Sequence, residues 1–495
     1  MLGKRRGGGV IHKLLARLGI AGQSDQGEFL RHAGRFVTAD FFGRALNLVA
    51  IPIFTGIMHP SDFGIMATFI ALVQMFEILF EGNLRVAVFR RYFEVDDRFP
   101  EFLGSVVMVL PAVITAFVLG GLLYSGQVSA MIGIERKVFL YAMLCACAST
   151  PNNVYLCVRR ARKDSSYVAK IQVFRNTGIL ILTLGFAWLL PHERYMGRVW
   201  GQLIVVVALF AQTVRELVPE CQFRFAKTHI LYWLRIGVPM YPHSISAFVL
   251  SQFGQISVIQ LAGLPMSGLY AFANQIGLVM SVVVTGMNNA WNPMFNSMTR
   301  DGQYDRIDRL ARKYAWNIAF IAIIMILFAP VGMILVANRR YHEAVNLIPV
   351  IVTSYFFVFL YTQYVNIAAY HKQTFGIAVG TVLAGCVCVA LNYTFIPVLG
   401  YPGAAYSLLI SHAVLFFFNY SNVCWRLRIK ERTPFKQYAY QLYAVVGCLA
   451  IHGMLVVSHA EIWLGIGIRI LVLLLAGAWF ILFHSESRRG RSECV

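Results

Sequence analysis

Phe102-Leu-Gly-Ser-Val-Val-Met-Val-Leu-Pro-Ala-Val-Ile-Thr-Ala-Phe-Val-Leu-Gly-Gly-Leu-Leu-Tyr124 carries no charged side chain, and none appears from there until Glu135. About twenty apolar residues suffice for a helix to cross the hydrocarbon core. Lipid offers backbone groups no partner, so a segment of this kind must satisfy them internally as a helix. Moving outward in both directions, comparable segments recur until there are about fourteen. The first seven are Arg35–Met58, Phe63–Arg85, Phe102–Tyr124, Val138–Val158, Tyr167–Leu190, Met196–Val214 and Leu231–Leu261. The second seven are Ser267–Met298, Tyr314–Val336, Val345–Tyr370, Phe375–Ile396, Ala404–Trp425, Tyr438–Val457 and Ile462–Phe483. The expected class is an all-α polytopic membrane protein.

The loops between these segments are basic on alternate sides. One side holds Arg90, Arg91 and Arg98, then Arg159, Arg160, Arg162 and Lys163, then Arg215, Arg224 and Lys227, then Arg300 to Lys313, then Arg426 to Lys436. The other side holds only Arg136, Lys137, Arg194, Arg198, Arg339 and Arg340. By the positive-inside rule both termini are then cytoplasmic, which an even number of spans satisfies. The net charge of +20 invites a nucleic-acid partner. Its spread over short loops assigns it instead to topology and to anionic membrane lipids. The nine cysteines fall in spans, loops or the tail without metal or redox spacing, and no cofactor motif is present. Val10–Gly22 is weakly apolar and interrupted by His12, Lys13 and Arg17, which suits a short interfacial helix rather than a cleavable leader.

A weak internal echo divides the chain. Pro60-Ser-Asp-Phe-Gly64-Ile-Met-Ala67 opens the second segment, and Pro265-Met-Ser-Gly268-Leu-Tyr-Ala271 opens the eighth, in the same orientation. Such a parallel repeat places a substrate site between its halves near the bilayer midplane. The expected division is a cytoplasmic segment 1–34, a six-helix bundle 35–216, a linker 217–230 and a second six-helix bundle 231–425. An appended helix pair follows at 426–484, then a tail 485–495.

Ionisable residues inside spans are expensive, about 2.5–3.5 kcal/mol on insertion scales, so each one needs a reason. Asp40 and Arg44 share one face of the first segment, as a self-neutralising pair or as functional groups. Glu77, Glu81 and Arg85 share a face of the second, where Arg85 could snorkel to the interface. Lys170 and Arg175 lie in the fifth, Arg235 opens the seventh, and Arg469 sits in the fourteenth. Gly237, Pro239 and Pro242, with Tyr241 between them, predict a broken helix. Asn288, Asn289, Asn292 and Pro293 predict a bent, hydrogen-bonding wall, or plain interhelical packing. Tyr364 adds an aromatic group in the tenth segment. There is no nucleotide-binding loop, no HExxH and no aqueous region large enough for a catalytic core, so a transporter without its own ATPase is expected rather than an enzyme.

The order of motifs resembles the polysaccharide-exporter branch of the MOP (multidrug/oligosaccharidyl-lipid/polysaccharide) superfamily, the Wzx-type repeat-unit flippases. The resemblance rests on Pro60-Ser-Asp-Phe63-Gly64, on Glu81-Gly82-Asn83-Leu84 leading to Arg91-Tyr92, and on Gly237-Val-Pro239. Gly268-Leu-Tyr270-Ala271 and Ala290-Trp291-Asn292-Pro293 complete it. It implies a V-shaped pair of six-helix bundles plus two C-terminal helices. It also implies a substrate in which an oligosaccharide rides on a polyprenyl diphosphate, with a polysaccharide polymerase and glycosyltransferases as partners in a bacterial inner membrane. Arg44, Arg235, Arg175 and Lys170 would meet the diphosphate, Asn288, Asn289, Asn292, Tyr241 and Tyr364 the sugar, and Gly237, Pro239, Pro242 and Pro293 would serve as hinges. Many relatives carry an acidic residue where this chain has Gln252-Phe-Gly-Gln255, so Asp40 or Glu77 would couple an ion here. A drug exporter of the MATE branch and a lipid II flippase are the alternative readings, and a non-transporting scaffold subunit is a third.

Overall fold

The computed structural model describes residues 43, 46, 48–94, 98–427, 436–458, 465 and 467–477. These residues are overwhelmingly helical, with no strand among them. In chain order the helices of the first half are α1 Leu48–Ile57, α2 Pro60–Glu81, α3 Leu84–Phe93, α4 Phe99–Ile132, α5 Arg136–Ala161, α6 Ser165–Leu189 and α7 Met196–Glu220. Then come α8 Lys227–Ala262, α9 Leu264–Arg300, α10 Tyr304–Val336, α11 Arg339–Tyr370, α12 Thr374–Leu399, α13 Pro402–Arg426, α14 Lys436–Val457 and α15 Gly467–Gly477. Eleven of the described helices are long and apolar enough to cross a membrane. The chain is a multi-pass membrane protein.

Each of the fourteen expected segments overlaps a helix, and the structure adds one, α3, that the sequence reading left in a loop. Leu84, Ala87 and Val88 form its buried stripe at one-turn spacing, against α5 and α8. α5 falls outside the eleven because Ser149, Thr150, Asn152 and Asn153 interrupt its apolar run. Its place explains that composition, because α2, α3, α4, α6 and α7 all pack on it, so its polar groups meet protein rather than lipid. α4, by contrast, is only 11% buried over its apolar stretch and lies at the periphery.

The same pairings occur twice. In the first half α2 packs on α5, α5 on α7, and α6 on α7; in the second, α9 packs on α11, α11 on α13, and α12 on α13. α14 lies outside this scheme, against α10 and α11. Between the halves, Cys221–Ala226 runs non-helically across the start of α4, where Gln222 N donates to Pro100 O (3.0 Å) and Ser105 Oγ to Arg224 O (2.5 Å). Burial pushes the Cys221 thiol up to about 11, so it is a packing group rather than a nucleophile.

The expectation of a broken α8 is corrected, while the bend expected at Pro293 of α9 involves no break in the helix. α8 continues through Pro239 and Pro242, and α9 through Pro293. Both α8 prolines lie on an exposed stripe with Leu231, Leu234, Arg235, Val238 and Ile245, so their rings sit on an open face of the helix. The irregularity appears later, as a π turn at Val249–Phe253.

Candidate functional site

The two halves meet along α2, and both of its ends are tied. At the sparsely charged end, Gly64 and Gly268 bring the α2 and α9 backbones together with no room for a side chain. Gln255 of α8 stitches the junction, its Nε2 lying 2.7 Å from Ser267 Oγ and 3.3 Å from Gly64 O. A carboxylate there could not donate to those oxygens, which gives a physical reason for an amide at this position. Tyr341 OH donates to Met58 O at 3.2 Å, and Arg340 approaches the His59 ring at 3.2 Å.

At the basic end, α2 stops at Gly82 and Asn83, both in the left-handed region (φ 54° and 53°). That turn exposes carbonyls and an amide to α8. Trp233 Nε1 donates to Gly82 O (2.9 Å), Tyr241 OH to Leu79 O (2.9 Å) and Asn83 Nδ2 to Gly237 O (3.2 Å). Ser244 Oγ donates to Asn83 Oδ1 at 2.7 Å. Gly237 is required by proximity, since a Cβ there would lie 2.4 Å from Gly82 O.

Two polar surfaces flank this contact. In the first half, Ser149 Oγ donates to Glu77 at 2.5 Å, and Asn153 donates to Glu81 at 3.0 Å while accepting from Arg175 at 3.5 Å. Glu81 is 1% exposed and pairs with the half-exposed Arg85 at 2.5 Å. In the second half, Thr285, Asn289, Asn292, Asn296 and Arg300 line up on α9, within an arc of about 80° at helical periodicity. All but the half-buried Asn292 are exposed. The stripe runs from mid-helix to the basic end and suits water or a polar guest, not hydrocarbon. Asn288 turns away from it and accepts from Asn366 Nδ2 at 2.8 Å, tying α9 to α11 as Glu81 and Asn153 tie α2 to α5.

The structure sorts the remaining sequence expectations. Asp40 and Arg44 lie outside the described residues; their neighbour Gly43 packs on Asn176 of α6. Arg235 is exposed on α8, and Lys170 is exposed beside an apolar groove along α6 with Phe174 and Ile181. Tyr241 and Gly237 belong to the α2–α8 contact. Tyr364 is fully buried among Phe416, Tyr420 and Tyr438, which makes it a packing residue rather than a wall. Sequence reasoning missed Gln255 as a stitch, and Asn83 and Trp233 as the basic-end tie. It also missed Asn296, whose four-residue spacing from Asn292 was the available signal.

On the membrane surface at the sparse end, Lys137 joins Glu135 (2.9 Å) and Glu193 (2.7 Å), clasping the α4–α5 loop to the α6–α7 loop. The Lys137 ammonium holds the Glu135 carboxyl below its usual range, and the two carboxylates raise Lys137.

A family model described as polysaccharide biosynthesis protein matches residues 29–299, more than half of the chain. The succinoglycan biosynthesis transport protein ExoT of Rhizobium meliloti is 24% identical over 266 residues, covering 52% of this chain and 51% of that protein. The Lsg locus putative protein 1 of Haemophilus influenzae is 25% identical over 166 residues, covering 32% of this chain and 41% of that one. The chain thus spans about half the length of the curated relatives it matches. Among solved structures, the lipid II flippase MurJ in an inward closed conformation superposes with a TM-score of 0.68 at 14% identity, covering 92% of this chain and 99% of that one. An inward-facing multidrug resistance MATE family transporter of the MOP superfamily gives 0.62 at 16% identity, covering 78% and 94%. The fold is therefore that of the MOP transporters, and with the family match over all three helices of the inter-half contact, the chain belongs to the polysaccharide biosynthesis protein family.

Proposed function

We propose that this chain is a flippase that turns a polyprenyl-diphosphate-linked oligosaccharide repeat unit from the cytoplasmic to the outer leaflet by alternating access. It works in a bacterial inner membrane with both termini cytoplasmic, alongside a polysaccharide polymerase and glycosyltransferases. The observation that carries the reading is the exposed stripe Thr285, Asn289, Asn292, Asn296 and Arg300 inside a membrane helix. Amides present both donors and acceptors, as sugar hydroxyls demand. A diphosphate asks for bidentate cations, which Arg300 and Arg235 supply from the second half, with Arg44, Arg175 and Lys170 on the first half. The lipid tail stays in the bilayer. Glu77, held by Ser149, and Asp40 are the groups to couple an ion to the cycle.

Glu77 and the buried Glu81 favour one second reading, a MATE-type exporter of organic cations, which needs intramembrane carboxylates. Depletion of the protein in its host separates the two. Accumulation of a lipid-linked oligosaccharide facing the cytoplasm, with loss of surface polysaccharide, is the expected result. Unchanged lipid-linked pools with heightened sensitivity to cationic drugs would replace the flippase reading with the exporter.

A further inference from the structure

A groove of 630 Å³ runs along α6. Lys170, Phe174, Thr177 and Ile181 belong to its lining and fall within an arc of about 60° at helical periodicity, so they share one face. Phe174 and Ile181 are 54% and 62% exposed, which leaves that face open. Both flanks are walled. On one, a Cβ on Gly178 would lie 3.2 Å from Val205 of α7; on the other, Gly43 packs on the Asn176 amide. The described lining is apolar except for Lys170 and the Thr177 hydroxyl, which has no hydrogen-bond partner.

Length and charge say what fits. Lys170 lies five residues into α6, about 8 Å from its basic end, and Ile181 lies about 17 Å further along. That span is close to half of the roughly 30 Å hydrocarbon core, the depth of one leaflet. At the same end Arg159 and Arg162 are held by Glu216 and Glu220 at 3.3 and 2.9 Å, whereas Lys170 has no ion-pair partner among the described residues. An ammonium without a carboxylate, at the mouth of an apolar groove, asks for an anion attached to hydrocarbon. One helix face between two walls has the width of a single chain, and a diacyl phospholipid would leave its second chain outside.

We propose that the α6 groove holds the first part of the carrier's single prenyl chain, with Lys170 on its phosphate. The open face lets the rest of the chain remain in the bilayer. The inference rests on the flippase reading and deepens it, because it puts the lipid on the first half while the α9 stripe of the second half meets the sugar.

The test is native mass spectrometry of the delipidated full chain with three probes: undecaprenyl phosphate, uncharged undecaprenol and phosphatidylglycerol. Wild type should bind undecaprenyl phosphate about tenfold more tightly than undecaprenol, the scale of one charge-assisted contact, and more tightly than phosphatidylglycerol. Lys170→Gln, at an exposed position, should bring undecaprenyl phosphate down to the level of undecaprenol and leave undecaprenol unchanged. Thr177→Phe fills the groove without removing a hydrogen bond, so it should weaken both prenyl probes about tenfold. Ile181→Ser, already exposed in wild type, should weaken both in the same direction and carries the test if Thr177→Phe does not fold. Phosphatidylglycerol binding as tightly as undecaprenyl phosphate, no advantage of the phosphate over the alcohol, or wild-type binding of the prenyl probes by the groove variants overturns the proposal. Failure of the flippase reading is a separate result, seen in the host as unchanged lipid-linked pools on depletion.

Discussion

Gly64 and Gly268 occupy matching places in the two copies of the repeat, and they touch: a Cβ on Gly268 would lie 1.7 Å from Pro60 O, and one on Gly64 2.8 Å from Gly268 N. The motif that betrays the repeat in the sequence is thus also the surface on which the two copies meet. Gly268→Ala should force α2 and α9 apart at the sparse end, at a cost of about 1–3 kcal/mol. Cysteine labelling near Met58 and Tyr341 should rise, and export should fall while protein remains in the membrane. Unchanged labelling would mean that this contact is not the barrier at that face.

The opposite end offers a finer experiment, because Asn83 has two separable roles. Its backbone is left-handed, and its side chain both donates to Gly237 O and accepts from Ser244. Asn83→Gly keeps the turn and loses the hydrogen bonds, each worth about 1 kcal/mol net. Asn83→Val loses both. If the tie to α8 limits opening, both variants should raise reactivity of a cysteine placed at Ser244, and Asn83→Val should also lower the melting temperature.

Glu81 and Arg85 form an unequal pair. The carboxylate is 1% exposed while the guanidinium is 46% exposed. Arg85→Ala strands a buried charge and should cost about 3 kcal/mol. Glu81→Gln leaves a cation that water already reaches and keeps an acceptor for Asn153, so it should cost about 1 kcal/mol. Denaturation in detergent compares the two, and equal losses would show that Arg85 is less hydrated than its exposure indicates.

The Lys137 clasp sets a pH window. Glu135 is lowered, so its contribution is present above the ordinary glutamate value of 4.5 and is lost as pH falls through the depressed value. Lys137 is raised above 10.5, so its contribution is complete below that and fades only above it. Stability from the clasp should be flat between these limits and small, because all three side chains are well exposed. Melting curves of wild type and Lys137→Met should differ slightly at neutral pH and converge in strong acid. A gap that widens in acid would contradict the assignment.

On the α9 stripe, Asn289→Leu and Asn292→Leu should each reduce export about tenfold or more without loss of protein, since each removes a polar contact from a wet surface. Arg235→Ala tests the cationic side in the same assay, and Arg235→Lys should rescue it poorly where the contact is bidentate. Wild-type export in all of these would remove the proposed site.

Most of the fold was legible because hydrocarbon thickness and loop charge leave few ways to thread such a chain. The helix missed, α3, is short, and Arg85, Arg90 and Arg91 disguise a three-residue apolar stripe. The broken α8 was misread because proline removes a donor without compelling a break when its ring lies on an open face. At the site, the amides of α9 were readable as chemistry, but not which of them turned inward. Asn288 and Asn289 are adjacent and point about 100° apart, so only packing decides that the first ties helices and the second stays exposed. Tyr364 misled for a related reason, since an aromatic ring with one hydroxyl fits a core as well as a cavity.

α2 has neither glycine nor proline between Gly64 and Gly82, and over its 22 residues it is a rod of about 33 Å. On the proposed alternating-access cycle such a rod would act as a seesaw, tilting about its middle so that one tip presses inward as the other lifts away. The conformer with both tips free is the one that such a rod disfavours most. For a cell that stores energy as an ion gradient, this is insulation, because a pore open to both sides at once would short-circuit the membrane.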